Sequence, residues 1–101
     1  MDHWVQEYSQ LAKKHLGQHL KHLVLFGSHA RGEAQEGSDY DILMIVDNRT
    51  REIREKALDI SVEMMNRYEK LFSALIYDEI EWKKAQMFPL AWNIHREGIS
   101  L

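Results

Sequence analysis

Five consecutive apolar residues, Ile42–Val46, stand between Asp41 and Asp47. A run so short and so apolar, rich in β-branched and long side chains, predicts a buried strand. It is far too short to span a bilayer, and no longer apolar run exists in the chain. A second apolar run, His22–Phe26, ends in Gly27-Ser28 and predicts a second buried strand. Buried strands need covering layers. In a chain of 101 residues these come from one sheet and a few helices.

The spacing of apolar residues supplies those helices. Trp4, Tyr8, Leu11 and His15, with Val5, Ala12 and Leu16, make one stripe and predict a helix from residue 3 to about 17, with Gly17 as its stop. Ala30–Gly37 is small and polar and reads as a helical turn followed by a loop. After the turn Asn48-Arg49-Thr50, Thr50 is a candidate N-cap. Ile53, Ala57, Ile60, Met64 and Tyr68 then predict a long amphipathic helix from Arg51 to about Lys70. Leu71–Tyr77 reads as a third strand. Asp78 to about Gln86 and Pro89 to about Arg96 read as short helices, and Ile99-Ser100-Leu101 as an edge strand. The expected architecture is α/β (α+β), a small mixed sheet with helices packed mainly on one face, forming a single domain over residues 1–101.

The formal net charge is -3. No global basic field holds nucleic acid non-specifically, so general nucleic-acid binding is not expected. With no cysteine, disulfides, thiolate metal sites and a Cys nucleophile are excluded. The N-terminus, Met1-Asp2-His3-Trp4, lacks the basic and apolar regions of a signal peptide. A cytoplasmic protein without membrane association is the default expectation. His15, His19 and His22 hint at zinc by their spacing, but a helix ending near Gly17 would part them, and a solvated surface is the expected reading.

Chemistry concentrates between the first two strands. Gly27-Ser28 follows a strand and opens a helical turn, where glycine permits close backbone approach to a ligand. The exposed N–H groups and the Ser28 hydroxyl make a natural anion cradle, and Arg31 brings a forked cation one turn later. Asp39 and Asp41 stand two apart at a strand entry, so alternation puts their carboxylates on one side, with Tyr40 facing the other way. Two such carboxylates repel unless a cation lies between them. Hard oxygen ligands of this kind suit Mg²⁺ or Mn²⁺. A divalent cation with a triphosphate is the equipment of nucleotidyl transfer.

The stretch Gly27-Ser28, ten residues, Asp39-Tyr40-Asp41 resembles the signature of the DNA polymerase β-type nucleotidyltransferase superfamily. Gly27-Ser28-His29-Ala30-Arg31-Gly32 followed by Ser38-Asp39-Tyr40-Asp41 is similar to its minimal (MNT) branch. The resemblance implies Mg²⁺-dependent transfer of a nucleoside monophosphate, AMP from ATP above all. It implies Asp39 and Asp41 as catalytic metal ligands, and Gly27, Ser28, Arg31 and Ser38 as nucleotide contacts. The branch further implies a helical HEPN partner, modified on a tyrosine in an antitoxin role. A homodimer or higher homo-oligomer is the alternative assembly.

The family also implies a third carboxylate on a later strand. Here Ser73 or Ala74 stands where it is expected, and Asp78 just past the strand is the nearest substitute, with Glu63 on the long helix another. A chain with two carboxylates leaves an attacking hydroxyl without a base. The alternative expectation is therefore a binding module that neutralises its partner by complex formation.

Overall fold

The strand read from Ile42–Val46 is Tyr40–Val46 (β2), one of two inner strands of a four-stranded sheet in a computed structural model that describes residues 2–101. The sheet order is β3-β2-β1-β4, with β1 at Leu20–Phe26, β3 at Phe72–Asp78 and β4 at Ile99–Ser100. β1 is antiparallel to both β2 and β4. β2 and β3 are parallel. Parallel neighbours need a crossover, and the long helix supplies it.

Alternation divides the sheet into two faces. Leu23 and Leu25 of β1, Tyr40, Ile42, Met44 and Val46 of β2, and Phe72 of β3 share one core with the helices His3–Leu16 (α1) and Arg51–Tyr68 (α3). Leu43 and Ile45 face the other way, against Ile94 and Trp82 of the shorter helices Glu79–Ala85 (α4) and Pro89–Glu97 (α5). β2 is thus apolar from Ile42 to Val46 because helices cover it on both sides.

Local chemistry sets the element ends. Asp2 caps α1 by accepting from the Trp4 N–H at 2.7 Å, and Thr50 caps α3 by accepting from the Ile53 N–H at 3.2 Å. α3 stops at Tyr68, two residues short of the expected end, because Glu69 takes a left-handed φ of 55°. β1 starts at Leu20, two residues early, after a 3-10 turn at Gly17–His19. Its first residues are half-buried or exposed, so apolar patterning does not mark them. Among the described residues no helix is long and apolar enough to cross a membrane.

Four rings stack through the core. Tyr8 lies on Phe72 at 4.6 Å, Phe72 on Tyr40 at 4.3 Å, and Tyr40 on His29 at 3.7 Å. Tyr40 also donates its hydroxyl to Asp2 at 2.7 Å. The Tyr8 hydroxyl is buried with no partner among the described residues, and burial pushes its pKa far above the ordinary phenol range. An unmatched buried hydroxyl costs about 1–3 kcal/mol. Tyr8→Phe is therefore expected to raise the melting temperature by about 4 °C, the shift ~1 kcal/mol gives in so small a domain. A lower melting temperature would refute this account.

Candidate active site

The antiparallel register sets Phe26, the last residue of β1, opposite Asp41 near the start of β2. The next residue, Gly27, turns the chain with φ 76° and opens the four-residue helix Ser28–Arg31 (α2). A Cβ at Gly27 would lie 2.2 Å from Asp41 Oδ2. Glycine is thus required twice, for its positive φ and because the Asp41 carboxylate fills the place of a side chain. The Gly27 carbonyl accepts from the Ala30 and Arg31 N–H groups, each at 3.1 Å. The N–H groups of Ser28 and His29 precede these bonds at the start of the turn.

Asp41 lies on the face turned toward α4 and α5, opposite in parity to Tyr40 and Ile42. Asp39, two residues earlier, stands just before the strand. Burial holds the Asp41 pKa above its usual value, and the Asp39 charge adds to this, against the opposite pull of His29 and Arg31. Two carboxylates in mutual repulsion form a donor set that a hard divalent cation relieves. Among the described residues no third His, Cys, Asp or Glu joins them in a metal-holding group.

The raised pKa has a consequence for stability. A carboxyl whose folded pKa exceeds its unfolded value destabilises the fold once ionised, so its penalty grows as pH rises above the unfolded value, about 4. Asp41→Asn removes that penalty. The variant is expected to melt higher than the wild type at pH 7. The advantage vanishes below about pH 4, where Asp41 is protonated in both states. Thermal melts across pH check this, and an Asn variant less stable at pH 7 contradicts it.

The remaining candidates fall into two groups. Ser38 serves the loop: its hydroxyl accepts from the Gln35 N–H at 2.9 Å. His29 donates from Nε2 to the Ser38 carbonyl at 2.9 Å and so ties α2 to the approach to Asp39. Arg31 is held by two carboxylates, Glu33 at 3.1 Å and Glu97 at 3.1 Å. These contacts raise its pKa, Glu33 first and then Glu97.

Asp78 does not join the pair. It caps α4 in a reciprocal box with Glu81, and it pairs in register with Val46 at the far end of β2. Five strand residues, about 16 Å, separate it from the level of Asp41. Glu63 is bonded to Arg67 on α3, which covers the opposite face of the sheet. The residue beside Asp41 in the parallel register is Ser73, exposed and of the same parity. Of the two residues expected at the third position, Ser73 is the one that faces the site.

Glu97 is a site residue that motif spacing did not reveal. Leu25 pairs with Ile99 in the antiparallel β1–β4 ladder, so two residues further along Gly27 comes opposite Glu97. Its Oε1 accepts from the Gly27 N–H at 3.3 Å and from Arg31 at 3.1 Å. The cradle thus already holds one internal carboxylate.

The geometry sets a glycine turn and a short helix against a carboxylate pair across two strands. The family model for the nucleotidyltransferase domain matches residues 7–99 of this chain. The chain belongs to the nucleotidyltransferase domain family. Two relatives from Methanocaldococcus jannaschii are provisionally named protein adenylyltransferases. One is 36% identical over 93 residues, spanning 89% of this domain and 63% of the relative. The other is 27% identical over 92 residues, spanning 91% of the domain and 84% of the relative. The domain therefore covers less than two thirds of the first relative's length. Among solved structures, a toxin–antitoxin complex with AMP-PNP superposes with a TM-score of 0.70 at 15% identity, over 94% of this domain and 69% of that chain. A structure provisionally named a nucleotidyltransferase superposes with a TM-score of 0.54 at 23% identity, over 96% of both chains. Both share the fold.

Proposed function

We propose that this nucleotidyltransferase domain transfers AMP from ATP, with Mg²⁺, to a hydroxyl of a HEPN-type helical protein in the cytoplasm. The observation that carries this reading is the packing of the Asp41 carboxylate against Gly27, with the Asp39 charge close enough to act on it. Names of relatives and structural neighbours, adenylyltransferase and toxin–antitoxin, point the same way.

Asp39 and Asp41 would hold the cation, which when bound neutralises phosphate charge and favours ionisation of a nearby hydroxyl. Gly27 would let the backbone approach the phosphates, and the Ser28 and His29 N–H groups would be the donors offered to them. In the reaction the acceptor oxygen bonds to the α-phosphorus, the bond to the bridging oxygen breaks, and pyrophosphate leaves. The hydroxyl proton passes to a carboxylate or to water. Ser73, beside Asp41, cannot take it as a carboxylate would.

That serine favours a second reading, a nucleotide-binding module that neutralises its partner by contact. The deciding experiment incubates the chain with Mg²⁺ and labelled ATP, with and without the HEPN-type partner, beside Asp39→Ala/Asp41→Ala. Label on the partner that the double variant abolishes supports transfer. Tight complex formation without transfer, with other nucleotides also tried, leaves the binding module.

A further inference from the structure

α4 and α5 meet at a bend that exposes Met87 (79%), Phe88 (63%) and Trp92 (61%), with Ile80 (70%) back along α4. Met87 and Phe88 fall in the bend between the two helices, and Ile80 lies seven residues before Met87. Phe88 and Trp92 stand four residues apart, and the Trp92 indole N–H donates to the Gln86 carbonyl at 2.9 Å, laying the ring beside the bend. The apolar area they present is on the order of 500 Å², at the top of the range a soluble monomer leaves open. None of it is needed to close either core.

Among the described residues, the unpaired charges around it are mainly basic, with Glu79 beside Ile80 the one acid. Lys83 and Lys84 end α4, and Arg96 lies in the last turn of α5, four residues past Trp92. None of the three has a carboxylate within ion-pair distance among the described residues, although the chain as a whole carries -3. Of the neighbouring acids, Glu81 is engaged with Arg49 at 2.7 Å and Glu97 with Arg31, while Glu79 is exposed and has no ion pair among the described residues. A second copy docked here would bring three unpaired basic side chains from each chain and only Glu79 to meet them. An apolar centre with an unpaired basic rim fits instead a foreign surface with an apolar depression and an acidic rim.

We infer that the α4–α5 bend is the docking surface for the acceptor protein, a partner with an apolar pocket bordered by Asp and Glu. This rests on the proposed transfer to a protein. The nine residues of α5 span about 13 Å, from the docking bend to Glu97 at the Gly27 turn. A partner held at one end of α5 lies one helix length from Asp39 and Asp41 at the other, so docking and chemistry use separate residues.

The test measures binding of the HEPN-type partner by calorimetry to the wild-type chain, to Phe88→Ser/Trp92→Ala and to Lys83→Glu/Lys84→Glu. Mg²⁺–AMP-PNP binding to each chain alone checks the fold. The apolar double variant is expected to weaken partner binding roughly 30-fold or more, as loss of an aromatic anchor does. The charge reversal weakens it several-fold at low salt and less at high salt, with nucleotide binding unchanged in both. Wild-type affinity in both variants overturns the inference and leaves the proposed function standing. A complex lost in the variants, but never adenylylated in the wild type, keeps the docking surface and overturns the transfer. No complex with the wild type overturns both. Sedimentation showing a wild-type dimer that Phe88→Ser/Trp92→Ala dissociates overturns the inference in favour of a second copy.

Discussion

Gly27→Ala is expected to abolish Mg²⁺–nucleotide binding while leaving the chain folded. Two effects act together. Alanine at φ 76° costs about 1–2 kcal/mol of backbone strain. The new methyl would also lie 2.2 Å from Asp41 Oδ2, 3.1 Å from its Cγ and 3.2 Å from its Cβ, so a rotation of the carboxylate tip does not relieve the clash. The whole Asp41 side chain must shift, and a ligand displaced by about 1 Å costs on the order of 100-fold in activity. Gly32 separates the two effects. Its φ is 73°, but a Cβ there meets nothing within 4 Å. Gly32→Ala should lose a similar few degrees of melting temperature and keep nucleotide binding. If both alanine variants bind nucleotide alike, the Asp41 packing against Gly27 is not what holds the site.

The fold was legible because its strongest signals are local. Five apolar residues in a row announce β2, and the i, i+3/i+4 stripe of Ile53, Ala57, Ile60 and Met64 announces α3; all of these residues are buried. Strand alternation reaches Asp41 but not Asp39, which stands one residue before β2; what the structure shows of the pair is that the Asp39 charge acts on Asp41. Glu97 was not legible, because its place depends on an antiparallel register between β1 and a two-residue strand some seventy positions away in the chain. Asp78 illustrates a signal passed over. Asp78-Glu79-Ile80-Glu81 is a capping-box sequence, and that local use of the carboxylate competes with any role at a distant metal. Ser38 and Arg31 likewise carry side-chain partners within the chain, Gln35 for the first, Glu33 and Glu97 for the second. Motif spacing gives a residue's position along the chain but not the partners that engage it.

Ser73→Asp carries the largest expected gain. In the parallel register Ser73 is the neighbour of Asp41, exposed and on the same face, so a carboxylate there enters the pair without disturbing the core. A third carboxylate supplies what the site lacks, an acceptor for the hydroxyl proton and a further oxygen for the cation. General-base assistance of this kind contributes about 10²–10⁴-fold, and transfer to the partner should rise by on the order of 100-fold at saturating Mg²⁺. The same substitution crowds three like charges, so without metal the variant should melt below the wild type, and added Mg²⁺ should restore the loss by mass action. The two readouts decide between the two readings of the chain. A Mg²⁺-dependent melting temperature with a large rise in transfer means that the wild-type site is an enzyme slowed by one missing group. The same metal response with no transfer from either chain means that the cradle and the carboxylate pair bind nucleotide without turning it over, and that the serine marks a module whose work is done by docking.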